Sequence, residues 1–463
     1  VQVHFRPSFP KLPSKFQENH LSSPEVPGLQ RSLKLWHLVL YGIIIIQPTA
    51  PMGIYGVVSN IGHGHVATAV LIAMFAMMLT AVSYGRMARV YPQAGSAFSY
   101  VSEELHPKLG YVVGWAMLMD YILNPIICII WCSQAARNVF PDVPYLFWVV
   151  VFALVSTFLN TRGIQTSSRV NAILAVLMSL VVVLFLGEGV HYIMTILHPS
   201  SADLIRPFYD PATFKTNALF HGTSVAVLTY IGFDGISTMA EEVENPRRNI
   251  LIATVLTCFV IGVLSVAEVY VAQMVWPGRQ PFAPAIVDTA FVHVAARVGG
   301  NFLFQLLNAT LLVANMGSAI AAQFGAARLM YGMGRNRSLP PRIFGAIDPK
   351  YRVPRNNVLI LGAIALTGAL CMSYEQGAEL LNFGAFIAFI GVNVAALVHY
   401  KFRSKERVLF PFLIPALGAI VCTFIWWNLS VNAKLLGVAW MCVGLVLAWV
   451  MQRRGRNPSA IAG

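Results

Sequence analysis

The chain has 463 residues, 57% of them hydrophobic and only 11% charged, with a net charge of +13 and a mean hydropathy of +0.66. Soluble chains carry about 25% charged residues, so this composition excludes a string of water-solvated domains. The apolar runs follow one another with no polar domain between them, which describes one membrane domain. With about twelve spans and the N-terminus inside, only six of the 32 Lys and Arg fall in outer loops (Arg137, Arg206, Lys215, Arg279, Arg297 and Lys434), which leaves 26 inside. That is the positive-inside asymmetry, with a secondary attraction to anionic lipid. It sets the topology of a multi-pass protein of the cell (inner) membrane with both termini cytoplasmic, and it argues against nucleic acid as a partner.

Residues 1–30 are polar, basic and proline-containing, without the apolar core of a cleaved signal peptide, and read as a disordered cytoplasmic tail. Residues 31–452 form the transmembrane domain, and 453–463 a second cytoplasmic tail. Arg31 to Trp36 is an interfacial lead-in of basic and aromatic residues. The first span, about 36–59, is interrupted at Gln47-Pro48-Thr49-Ala50-Pro51-Met52-Gly53. Proline removes a backbone donor and clashes with the preceding turn, so an unwound segment is expected there.

Residues 60–65 are a short outer loop whose His63 and His65 read as loop chemistry. The second span, about 66–84, ends at Arg86 and Arg89, and Tyr91 to Tyr100 then suits an inner re-entrant or interfacial helix. The third span, about 109–134, holds Asp120 at membrane depth and Pro125. A charge there costs about 2.5–3.5 kcal/mol on insertion scales and normally faces a cavity or a partner. Spans four (145–160) and five (170–189) are plain, and the long outer loop 191–215 is placed to cap a site.

Span six, about 217–240, breaks at Thr229-Tyr230-Ile231-Gly232-Phe233-Asp234-Gly235, where a carboxylate stands beside two poor helix formers. Backbone that leaves the helix at membrane depth survives only where it is packed in protein or lines a cavity. The segment closes with Glu241, Glu242, Arg247 and Arg248, acids and bases that suit an inner gate network. Span seven (250–276) carries Glu268 near its outer end, outside the site, and span eight (301–330) carries Asn308, Asn315 and Ser318 at helical spacing. The basic loop 328–355 and spans nine (358–372), ten (380–398), eleven (408–427) and twelve (435–451) complete the chain. The six cysteines all lie in apolar runs, and no metal set or disulfide framework is readable. A nucleophile–base pair, which a membrane enzyme needs, is not readable either.

The two breaks stand roughly 180 residues apart and the spans after them recur in register. The fold class is therefore an all-α integral membrane protein of about twelve helices. It has a five-plus-five inverted repeat (about 36–189 and 217–400) with helices one and six broken, and two additional helices (about 408–451). Interrupted spans at corresponding places in two halves point to a transporter's substrate site.

Five stretches, in this order, resemble the amino acid–polyamine–organocation superfamily: Tyr91 to Tyr100; Gly114-Trp115 with Asp120-Tyr121; Gly232-Phe233-Asp234; Glu241 to Arg248; and Arg328 to Arg335. Within it the chain looks most like bacterial putrescine importers, through Arg31 to Trp36, Gly64-His65-Val66 and Leu381 to Ala385. The resemblance implies a secondary active transporter working by alternating access, importing a small amine (putrescine or another polyamine) or an amino acid, with protons as the coupled ion. An amino acid permease or exchanger for neutral or cationic amino acids is the alternative. It implies no cofactor and a single chain as the transport unit.

The candidate substrate-binding residues are Gln47, Pro48, Thr49, Ala50, Gly53, Asp120, Tyr121, Tyr230, Gly232, Phe233, Asp234 and Asn315, with Asp234 and Asp120 as proton-coupling acids. Free amides near Thr49–Gly53 would favour an anion, and free carbonyls near Tyr230–Gly232 a cation. Two departures from the family stand out. Met178 takes the place of a fifth-helix lysine found in some members, and the first break carries Pro48 and Pro51 where amino acid carriers are Gly/Ser-rich.

Overall fold

A computed structural model describes residues 33–92, 96–163, 168–240, 242–276, 281–335, 339–404 and 409–453. Both expected tails (1–30 and, from 454, the C-terminal one), Gln93-Ala94-Gly95 of the Tyr91 to Tyr100 stretch and Glu241 of the expected inner gate lie outside these.

The first span is two helices, α1 (Leu35–Ile46) and α2 (Ala50–Ile61), bent by 43°. The break is narrower than the sequence suggests. Pro51 sits in the first turn of α2, where its missing N–H costs nothing, so Ala50 and Gly53 are already helical. Gln47 carries the bend at φ 71°.

There follow α3 (Val66–Val90), the short α4 (Ser96–Glu104), α5 (Pro107–Val139, with Pro125 inside), α6 (Tyr145–Thr161) and α7 (Ser168–Tyr192). The outer loop holds a π-turn at Ile193–Leu197 and α8 (Ser201–Ile205), and it docks on the start of α3. The Asp210 amide donates to His65 Nε2 at 3.1 Å, and Thr68 Oγ1 donates to the Phe208 carbonyl at 2.6 Å. His65, expected to be loop chemistry, is a buried clasp for that loop.

The sixth span starts as α9 (Thr216–Ala226), tightens to 3₁₀ at Val227–Tyr230, breaks at Ile231 and Gly232, and resumes as 3₁₀ at Phe233–Met239. Gly232 sits at φ 122°, and a Cβ there would stand 2.6 Å from Ile45 Cγ2. Only glycine takes this conformation readily. The remaining helices are α10 (Pro246–Val275), α11 (Ala290–Arg335, kinked at Gly299 and Gly300), α12 (Pro341–Phe344), α13 (Arg355–Cys371), α14 (Tyr374–Val398), α15 (Leu409–Trp427) and α16 (Val431–Arg453).

Among the described residues, seven helices are long and apolar enough to cross a membrane, α1 with α2 makes an eighth span as a bent pair, and α6, α13 and residues 412–427 of α15 are shorter apolar helices. With the broken sixth span these make twelve. Each broken span is followed by a long helix, a short one and another long one. In the first half these are α3, α4 and α5; in the second they are α10 and the two limbs of α11 on either side of its kink.

The core where the halves meet is aromatic and tightly apposed. Phe233 lies edge-on to Tyr84, with centroids 5.4 Å apart, and Phe389 stands at the same distance from it. Gly56 lets α2 approach the backbone at Val287, where a Cβ would stand 2.0 Å from that carbonyl oxygen. Asn393 of α14 pins α3, accepting from Ser83 Oγ at 2.6 Å and donating to Thr80 Oγ1 at 3.0 Å. Glu268, expected near the outer interface, is fully buried in α10.

Candidate substrate-binding site

The two breaks and the middle of α5 enclose a cavity of about 440 Å³, within the usual range of small-molecule pockets, about 300–1,000 Å³. Gln47, Asp120, Tyr121, Gly232 and Asp234 line it, together with Asn124, Met178 and Ser318. A smaller cavity of about 110 Å³ shares Gln47, Asp120, Asn124 and Ser318 with it and continues past Thr49, Ala50 and Gly53 to Asn315 and Tyr374. Asp120 and Gln47 thus stand where the two spaces join. The larger one extends along α11 to Ala321 and Ala322, and past the exposed Thr238, towards the arginine-rich end of the bundle.

The chemistry of the lining is one-signed. Two carboxylates, Asp120 and Asp234, face the larger cavity, and no Lys, Arg or His lines either space among the described residues. Neither carboxylate has an ion-pair partner there. Polar neighbours are neutral: Ser318 Oγ donates to Asn124 Oδ1 at 3.1 Å, and Asn315 Nδ2 donates to its own helix at the Leu311 carbonyl, 2.9 Å away. Met178 lies against the first break, with Thr49 Oγ1 donating to its sulfur at 3.4 Å. No ammonium stands at that place on α7.

The backbone at the breaks is largely engaged. The amide of Ala50 donates to the Gln47 carbonyl at 3.1 Å and that of Met52 to the Thr49 carbonyl at 3.0 Å, while Pro51 has no N–H. On the sixth span the Gly232 carbonyl accepts from the Gly235 amide at 3.0 Å. Asn382 of α14 caps the end of α9, donating to the Ser224 carbonyl at 2.7 Å.

Three expected lining residues face elsewhere. Pro48 is buried and lines neither cavity; Tyr230 is buried and donates to the Val70 carbonyl at 3.0 Å; Phe233 packs into the aromatic core. Around a break the 3.6-residue period is lost, so neighbours of a cavity residue need not share its face.

The expected inner gate also differs. Arg247 and Arg248 are exposed, and among the described residues Glu242, Arg247 and Arg248 form no ion pair. The segment is held by backbone instead, the Leu33 amide donating to the Glu242 carbonyl at 3.0 Å and the Glu244 amide to the Leu33 carbonyl at 2.9 Å. The buried charge at that end is Glu104 of α4, which the sequence did not single out. It accepts from Tyr91 Oη at 2.8 Å, lies 2.5 Å from His399 Nδ1, and pairs with Arg403 at 3.1 Å. Ser96 and Ser237 hydroxyls, 2.8 Å apart, tie α4 to the resumed sixth span.

A twelve-helix bundle with two spans broken around a carboxylate-lined cavity of small-molecule size is the architecture of a membrane transporter. The amino acid permease family matches residues 43–452, and the chain belongs to that family. The chain is 31% identical to the low-affinity putrescine importer PlaP of Escherichia coli (strain K12), over 93% of this chain and 95% of that one. It is 23% identical to the methylthioribose transporter and 26% identical to the branched-chain amino acid permease BcaP, both of Bacillus subtilis (strain 168), each over 92% of this chain and 94% of the relative. The family and these relatives are transporters, not enzymes, and support amino acid or polyamine transport by this chain.

Proposed function

We propose that this permease imports a small cationic amine, with putrescine as the representative substrate, by proton-coupled alternating access across the cell membrane, with its termini and arginine-rich end in the cytoplasm. The observation that carries the reading is the pair Asp120 and Asp234 on one cavity, with no basic residue among the described residues of its lining. Carboxylates at membrane depth need compensating charge, and an alkylammonium or a proton supplies it. The first break supports the same choice, because Pro51 and the engaged amides of Ala50 and Met52 leave few donors for an α-carboxylate. Gln47, Tyr121, Gly232 and Asn124 are the neutral walls of the site, and the single chain is the transport unit.

An amino acid is the second reading, and the smaller cavity favours it. There the N-terminus of α2, at Thr49, Ala50 and Gly53, faces the space that Asp120 also reaches. A helix N-terminus attracts a carboxylate, so a zwitterion could span the two.

The deciding experiment is uptake of labelled putrescine and labelled amino acids into proteoliposomes, with and without an inward proton gradient and with and without counter-substrate. Gradient-stimulated putrescine uptake, lost in Asp234→Asn, is the expected result. Amino acid uptake without putrescine uptake would overturn the amine and leave a permease. Dependence on internal substrate would make it an exchanger.

A further inference from the structure

Away from the substrate cavities, at the opposite end of the bundle from the arginine-rich loops, three ligating side chains from two chain-distant helices converge. A ring nitrogen of His221 on α9 and one carboxylate oxygen each of Glu375 and Glu379 on α14 lie within 4.8 Å of one another. His221 Nε2 is 2.6 Å from Glu379 Oε1. Glu379 is 2% exposed and is fixed from behind by the loop between α15 and α16, where the Ser430 hydroxyl donates to Oε2 and the Ser430 amide to Oε1. Glu375, one turn earlier on the same face, has no ion-pair partner among the described residues. Lys434, in the first turn of α16, is turned away and donates to the Trp427 carbonyl.

We propose that His221, Glu375 and Glu379 form a binding site for a late first-row transition-metal dication, with Zn²⁺ as the probe, that staples α9 to α14. One imidazole and two carboxylates are a borderline nitrogen–oxygen set suited to such ions rather than to Mg²⁺, which prefers oxygen and keeps its waters. Three such donors around Zn²⁺, at about 2.0–2.2 Å from the ion, stand roughly 3.4 Å apart. Closing from the observed spread takes a movement on the order of 1 Å by Glu375, the free member, while Ser430 holds Glu379 in orientation as outer-shell partners do. Binding displaces the proton shared by His221 and Glu379 to solvent, as metal capture by protonated ligands requires. A water completes the fourth position.

This site is independent of the transport reading, and its test needs no transport assay. The purified full chain in detergent is titrated with ZnCl₂ by calorimetry, with thermal unfolding followed in parallel. The expected result is one Zn²⁺ per chain with a raised melting midpoint and no effect of MgCl₂. Binding should be at least about tenfold weaker in His221→Ala and in Glu375→Gln. Glu375→Gln removes a ligand that has no ion-pair partner among the described residues, so it separates lost ligation from lost folding. Absence of saturable binding, or Zn²⁺ affinity unchanged in both variants, would overturn the proposal.

Discussion

Gly232→Ala tests whether the second break is held open by backbone conformation. Gly232 has φ 122° and ψ −19°, and an added Cβ would lie 2.6 Å from Ile45 Cγ2. Ile45 is 36% exposed and borders the cavity, so it can turn aside; the dihedral cannot be relieved that way. A non-glycine residue held in such a region costs about 1–3 kcal/mol. At about 2 kcal/mol, the broken conformation loses roughly 30-fold in population. Gly235 is the internal control: it lines the same cavity, has no positive φ, and its Cβ would meet Ile45 Cδ1 at an ordinary 3.4 Å. Alanine there should be neutral or stabilising by about 0.4–1 kcal/mol. The assay is initial uptake rate in proteoliposomes at matched protein content, with the melting midpoint measured in detergent. Gly232→Ala should lose about 30-fold in rate and melt lower, while Gly235→Ala stays within about twofold of wild type. Wild-type uptake by Gly232→Ala, or equal losses in both, would refute the argument.

Tyr230→Phe removes only the bond to the Val70 carbonyl, so stability should fall by about 1 kcal/mol while substrate affinity holds. A tenfold fall in affinity would place the phenol in the site after all. Glu104→Ala strands His399, Arg403 and Tyr91 and should destabilise the protein by about 3 kcal/mol in thermal unfolding. That is the low end for a broken buried pair, because Arg403 is half-exposed. In the loop before α13, the Tyr351 amide first, then the Lys350 amide and Arg355, hold the Asp348 carboxyl below the usual carboxylate range. A depressed folded value stabilises above the unfolded value, about 3.9, and that contribution is lost as pH falls through the folded one. Asp348→Ala should therefore speed proteolysis of that loop at neutral pH, and the difference from wild type should vanish in acid.

Both breaks were legible because proline, glycine and carboxylates are costly in an apolar helix, and little else explains them there. Their widths were not. Pro51 disrupts a helix interior but fits a first turn, and only the placement of Ile46 and Gln47 decides which it does. Asp120 and Asp234 reach one cavity as expected, and Asn124 was within reach of the same reasoning, four residues and one turn beyond Asp120 on α5. Tyr230 and Phe233 were misdirected because periodicity fails across 3₁₀ and extended backbone. Glu104 with His399, and His221 with Glu379, join residues 295 and 158 positions apart, and no local pattern announces such pairs.

On the proposed reading, the two carboxylates also determine how many protons accompany each substrate. With no base among the described residues of the lining, compensation must come from what enters, and each acid left unpaired at membrane depth costs about 2.5–3.5 kcal/mol. A diamine carries two ammonium groups, so its second ammonium competes with a proton for the second acid of the Asp120 and Asp234 pair, and only part of the loaded carriers need a proton. A monoamine of the same length meets one and leaves the other to be protonated before the loaded site can close. An inward proton gradient should therefore stimulate uptake of butylamine more than uptake of putrescine, and Asp234→Asn should abolish the difference by leaving a single acid. The comparison is made at matched internal and external ionic strength, with rates taken below saturation for each amine. Equal stimulation of the two amines would mean that the coupled proton rides on a group outside this cavity, with the buried, unpartnered Glu268 of α10 the first to examine.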